Sequence, residues 1–173
     1  MPMSKNFYMA CVDVEGRRCV VVGDGAMAAE KTAGLETCGA VVELVATRKY
    51  KRRVLKGAFV VIAATDDQKV NERVYRDAEK RGMLCNVADV PELCNFILPA
   101  VHREGPIAIA VSTGGASPAL AKRLRSQIAA LIRPEHAELA EELRAMRPEI
   151  KARFKNYEER RDYFEEIVRE RLS

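Results

Sequence analysis

The run "RCVVVGDGAMAAEK" constrains this chain more than any other stretch. Val20-Val21-Val22 is apolar and β-branched, Gly23 and Gly25 interrupt it, and Ala26-Met27-Ala28-Ala29-Glu30-Lys31 reads as a helix start. A strand that enters a helix through a glycine turn opens an α/β unit. The helix is expected to run to Cys38 and stop at Gly39. Ala40–Ala46 then makes a second strand and Phe59–Ala64 a third. The third is apolar at successive positions, as in a parallel sheet covered on both faces. Thr65-Asp66-Asp67 caps a helix through Lys80 that carries Val70, Val74 and Ala78 on one face. Met83–Val87 and Ile107–Val111 read as a fourth and a fifth strand of the same sheet.

This alternation predicts an α/β fold, a Rossmann-like mostly parallel sheet over residues 1–111. Residues 112–173 are expected to form a helical dimerisation region. Ser117-Pro118 is an N-cap followed by a first-turn proline, and Ala119–Ile132 reads as helix. Beyond Glu135, Leu143, Met146, Ile150, Phe154, Tyr157, Phe164 and Val168 recur mostly at intervals of three or four. They form an apolar stripe that Pro148 is expected to interrupt.

The glycine turn has the spacing Gly23-x-Gly25-x-x-Ala28, a form of the dinucleotide-binding fingerprint. Gly23 allows the tight turn, Gly25 lets the backbone approach a pyrophosphate, and Ala28 keeps the helix close to the strand. Asp24, Ala26 and Met27 complete the segment that faces the phosphates. A ribose-binding acid is expected some 20 residues later, at the end of the second strand, an offset that Glu43 approximates. The second strand ends in Ala46-Thr47-Arg48-Lys49, and Glu43 falls inside it. The bases from Arg48 to Arg53 suit a 2′-phosphate, an acidic substrate or plain solvent, so NAD and NADP both remain open.

A net charge of +4 favours acidic partners without specifying them. The basic residues lack interleaved aromatics and no nucleic-acid motif appears, which argues against a nucleic-acid partner. No run approaches the roughly 20 apolar residues of a membrane span. The N-terminal MPMSKNFYMACVD shows no secretory pattern. The five cysteines include no CxxC pair, so a cytoplasmic protein with reduced thiols is expected. Without HExxH or paired CxxC motifs, no protein metal site is expected.

Four stretches together, "VVVGDGAMAAEK", "VIAATDDQKVNERV", "CNVADVPELCNFILPAV" and "IAIAVSTGGASPALAKRLRSQI", closely resemble the precorrin-2 dehydrogenase and sirohydrochlorin ferrochelatase family, which includes the N-terminal region of siroheme synthases. The resemblance covers nearly the whole chain. It implies oxidation of precorrin-2 to sirohydrochlorin with NAD by an intertwined homodimer, with ferrous iron as a further substrate in bifunctional members. It places Gly23, Gly25 and Ala28 under the dinucleotide, Thr65, Asp66 and Asp67 at the edge of its site, and Asn86 beside it. It puts the important acid on Asp89, as proton acceptor or orienter of the macrocycle. Thr113, Gly114 and Gly115, with Ser117 at the helix start, fall in the substrate-facing loop. Precorrin-2 is rimmed with carboxylates, which Arg48, Lys49, Arg52, Arg103, Lys122 and Arg125 would attract. A non-catalytic dinucleotide-binding regulator would use the same turn without needing Asp89. The chain departs from the family between Thr47 and Ala58, where members carry a further helix and strand.

Overall fold

A computed structural model describes residues 7–172. The chain divides into two compact units between Leu98 and Pro99. The first holds strands β1 (Arg18–Val22), β2 (Val41–Val45), β3 (Val60–Ala63) and β4 (Leu84–Val87), with helices α1 (Ala26–Glu36) and α2 (Gln68–Glu79). All strand pairings are parallel and the order is β2-β1-β3-β4. Every residue of β3 is buried, because layers cover both of its faces. Ala28 of α1 packs with Cys19, Val21, Val60 and Ile62 on one face. Val74 and Ala78 of α2 pack with Val20, Val61, Cys85 and Val87 on the other.

After α1 the chain adds β2 on one side of β1, then returns over β1 to place β3 on the other. That reversal is the topological switch at which open α/β sheets bind ligands. No α-helix makes the return. Two 3-10 turns, Thr47–Lys49 and Arg52–Leu55, suffice because they are pinned from both ends. Leu55 is fully buried, and Tyr50 is buried with its hydroxyl donating to Asp77 Oδ2 of α2 at 2.9 Å. Arg18 donates to the carbonyls of Val54 at 2.7 Å and Lys56 at 2.9 Å.

The second unit contains strands β5 (Ala100–Glu104) and β6 (Ile107–Val111) and helices α3 (Pro118–Ala129), α4 (Pro134–Arg153) and α5 (Tyr157–Arg171). Here the structure corrects two expectations. Ile107–Val111 is not a strand of the parallel sheet: it pairs antiparallel with β5 through a tight Gly105-Pro106 turn and packs on α3. The break between units consequently precedes the hairpin instead of following Val111. Nor does Pro148 end a helix, for α4 runs through it and stops at Phe154. The stop is made by side chains. Asn156 caps α5 by accepting from the Glu159 N–H at 2.8 Å, and Arg160 donates to the carbonyls of Phe154 and Lys155. Among the described residues no helix is long and apolar enough to cross a membrane.

Candidate functional site

The carboxyl edge of the parallel sheet gathers the glycine turn after β1, Thr47 after β2, Thr65 after β3 and Asp89 after β4. The ladder continues into these loops: the N–H groups of Gly23, Ala64 and Ala88 donate to Val45, Val22 and Ala63, at 3.0, 2.8 and 2.9 Å. The loops therefore start from fixed positions.

The two glycines of the turn do different work. A Cβ on Gly23 would lie 2.2 Å from the Ala64 carbonyl oxygen and 2.8 Å from the Ala28 Cβ, so Gly23 lets β1, β3 and α1 close up. A Cβ on Gly25 would meet nothing within 4 Å. Gly25 is the N-cap of α1, and no side chain caps the helix or places an acid in its first turn. The exposed first residues of α1, Ala26 and Met27, thus stand at the positive end of the helix dipole, with Ala28 buried behind them. An uncapped helix start beside a glycine without neighbours fits a dinucleotide pyrophosphate. Asp24 is bound sideways to the end of β2, its Oδ2 accepting from the Thr47 N–H at 2.8 Å. Hydrogen bonding from Thr47, through side chain and then backbone, holds this carboxyl below its ordinary range, and Arg48 adds to the effect.

Thr65 and Asp67 shape the loop after β3. Asp67 Oδ1 accepts from the N–H groups of Lys69 at 2.9 Å and Val70 at 3.2 Å, which makes it the N-cap of α2. Thr65 Oγ1 bonds Asn71 Oδ1 at 2.8 Å, and Asn71 Nδ2 donates to the Thr65 carbonyl at 2.9 Å. Asn71 is buried and locks Thr65 in place. Asp66 is exposed.

Asp89 is exposed and has φ of 60°, the only positive φ of a non-glycine residue among those described. Aspartate tolerates this left-handed conformation better than most residues. The turn that imposes it is tied down from beneath. Cys94 Sγ accepts from the Val87 N–H at 3.3 Å and from Asn86 Nδ2 at 3.4 Å. Its S–H has the carbonyls of Val87 and Val90, each at 3.3 Å, as acceptors. Asn95 Oδ1 accepts from the Cys85 N–H at 2.7 Å. Asn86 is itself buried, and its amide nitrogen also donates to the Phe96 carbonyl at 3.1 Å, so that donor serves the protein's own loop. Burial, then the neighbouring Cys94 and Glu79, push the Cys85 thiol up to about 12, which leaves it a neutral core group at physiological pH. No disulfide joins any of the five cysteines.

The sulfur of Cys94 is therefore a support for the Asp89 turn. Cys94→Ala strips partners from groups around a buried thiol and is expected to cost about 1–3 kcal/mol in denaturant unfolding. Cys94→Ser, which keeps a donor and an acceptor, should retain most of the stability. Equal stability of Cys94→Ala and the parent chain would show that the sulfur holds nothing.

In the second unit, the turn between β6 and α3 carries Thr113, Gly114, Gly115 and Ser117. Gly114 and Gly115 have φ of 62° and 89°. Thr113 Oγ1 accepts from the Ser117 N–H at 3.0 Å, and Ser117 Oγ accepts from the Leu120 N–H at 3.2 Å to cap α3. The glycines here give a compact loop braced by two hydroxyls. Arg48, Lys49 and Arg52 belong to the first unit, and Arg103, Lys122 and Arg125 to the second. Asn71 and Asn95 are supporting residues that sequence reading did not single out. Their partners are loop backbone and side chains that only the fold brings near.

Comparison with known proteins finds matches along most of the chain. Residues 10–100 match the family model described as putative NAD(P)-binding, residues 104–131 that of the sirohaem biosynthesis protein central region, and residues 135–173 the sirohaem synthase dimerisation region. The siroheme synthase of Nitrosococcus oceani is 35% identical over 176 positions, which cover 91% of this chain and 38% of that protein. That of Methylobacillus flagellatus is 37% identical over 170 positions, with 87% and 36% covered. The chain thus spans less than two fifths of the length of these relatives. The first alignment is longer than the 173-residue chain, so that relative has residues without a counterpart here, in keeping with the short Thr47–Ala58 passage. The solved structure of SirC, precorrin-2 dehydrogenase, superposes with a TM-score of 0.75 at 26% identity, covering 96% of this chain and 93% of the other. An NAD(P)-binding sheet followed by the central and dimerisation regions accounts for nearly every residue, and the chain belongs to the family formed by precorrin-2 dehydrogenases and the N-terminal region of siroheme synthases.

Proposed function

We propose that this chain is an NAD-dependent dehydrogenase that oxidises precorrin-2 to sirohydrochlorin as a homodimer. The observation that carries the reading is the shared sheet edge of the uncapped Gly25 turn and the exposed Asp89 carboxylate. Bound NAD supplies a two-electron acceptor for the hydride that leaves the macrocycle. The protein's own part is to place the substrate and take up the proton released with it. Asp89 serves as that proton acceptor, since a carboxylate past a strand end is open to substrate while its backbone is fixed. Asp24, Ala26, Met27 and Ala28 hold the dinucleotide with Gly23 and Gly25, and Thr65, Asp66, Asp67 and Asn86 bound its site. Thr113, Gly114, Gly115 and Ser117 contact the substrate, and basic residues of the chain draw in its carboxylates. The match to a dimerisation region supports two copies per enzyme. Five cysteines without a disulfide suit a cytoplasmic setting.

An initial-rate assay with folded protein, precorrin-2 and either NAD or NADP tests the reading. The same assay with ferrous iron added separates a dehydrogenase from a bifunctional enzyme, in which siroheme appears faster than its spontaneous formation. A folded dimer that turns over with neither cofactor contradicts the proposal.

A further inference from the structure

In dinucleotide-binding sheets an acid at the carboxyl end of the second strand takes the adenosine ribose hydroxyls. Here β2 ends in Val45 and is followed by Ala46, Thr47 and Arg48, none of them acidic. Glu43 does not fill the gap, because it lies within β2 and pairs with Arg18. A carboxylate is nonetheless present at this place, contributed by the glycine turn. Asp24 reaches over from between Gly23 and Gly25 and accepts from the Thr47 N–H at 2.8 Å. The bond anchors the carboxylate where the end of β2 meets the turn, beside the open flank of Gly25.

We infer that Asp24 selects NAD over NADP, its carboxylate replacing the missing β2 acid as acceptor for the ribose hydroxyls. The inference rests on the dehydrogenase reading above and names the residue behind its cofactor choice. A ribose 2′-hydroxyl donates to a carboxylate, whereas a 2′-phosphate brings a second anion against it. The bonds from Thr47 and the charge of Arg48 keep Asp24 ionised at neutral pH. Arg48 and Lys49 offer positive charge to a 2′-phosphate, and the Asp24 carboxylate, on which Arg48 acts, sets a negative charge against it.

Fluorescence titration of the full chain with NADH and NADPH reads the preference without turnover. The parent protein should bind NADH at least about tenfold more tightly than NADPH. Asp24→Asn keeps an acceptor for the Thr47 N–H and removes the charge. It should narrow the ratio to within about threefold, mainly by tighter NADPH binding. Asp24→Ser, a second neutral variant, should shift the ratio the same way, and circular dichroism identifies which variants are folded. An unchanged ratio in a folded variant, or a parent protein that prefers NADPH, overturns the assignment alone. Binding of neither dinucleotide by the folded parent chain overturns it together with the dehydrogenase reading.

Discussion

Asp89→Asn is expected to lower kcat for precorrin-2 oxidation by about 10²–10⁴-fold, the range lost with a positioned acid or base. The substitution isolates the chemistry. Asp89 sits at φ of 60°, and asparagine accepts this conformation as readily as aspartate. The variant therefore keeps its turn, its support from Cys94 and its fold while losing the negative charge. NADH affinity and dimerisation should be unchanged. Asp89→Ala is a poorer test, since alanine adds a backbone cost of about 1–2 kcal/mol in the left-handed region. An Asp89→Asn enzyme with the parent rate would remove this carboxylate from the mechanism.

The second large effect belongs to the glycine turn and separates its two glycines. Gly23→Ala places a methyl group 2.2 Å from the Ala64 carbonyl oxygen and 2.8 Å from the Ala28 Cβ. Neither neighbour is a flexible side chain end, so the carboxyl ends of β1 and β3 or the start of α1 must move apart. Overpacking of this kind costs about 1–3 kcal/mol, and it displaces the helix start that fits the pyrophosphate. Gly25→Ala meets no atom within 4 Å and should cost less than about 1 kcal/mol as an N-cap change. Its methyl group instead occupies the space through which phosphates approach the backbone. Gly23→Ala should lose both stability and dinucleotide binding, Gly25→Ala mainly binding. Chemical unfolding and NADH titration of the two variants measure the contrast, and equal destabilisation by both would contradict these roles.

Local signals were legible where a few adjacent residues decide the structure. β1 spans Arg18–Val22 as read, Asp67 caps α2, and Ser117-Pro118 opens α3, because strand propensity, capping and proline geometry act within one turn of chain. The parallel register of β3 followed from its continuous apolar run. Pairing between distant segments was less legible. Ile107-Ala108-Ile109-Ala110-Val111 was assigned to the main sheet for its apolar content, although it alternates large and small residues. The structure shows that alternation as one half-buried and one exposed face of a hairpin. Gly105-Pro106 before it was the turn signal that pointed to β5. Pro148 misled because a helix can pass through proline when its packing outweighs one lost hydrogen bond, as with buried Leu139 and Ile150 on α4.

The candidate site divides in the same way. The glycines, Thr65, Asp67 and Asp89 were visible as motif positions. What holds them was not. The Asp24 bond to Thr47 spans 23 positions, the Asn71 lock closes over Thr65 from inside α2, and the thiol of Cys94 supports a turn seven residues behind it. None of these partners has a periodic or spacing signature. The absence of an acid after β2 was legible as a gap, and only the fold showed Asp24 standing beside it.

The central claim is most directly tested by product stoichiometry. Purified folded protein, given precorrin-2 and NAD in the absence of oxygen, should form NADH and sirohydrochlorin in equal amounts, at a rate proportional to enzyme and depressed in Asp89→Asn. Sirohydrochlorin formed without NADH, or neither product formed by a protein that binds NADH, would contradict the account.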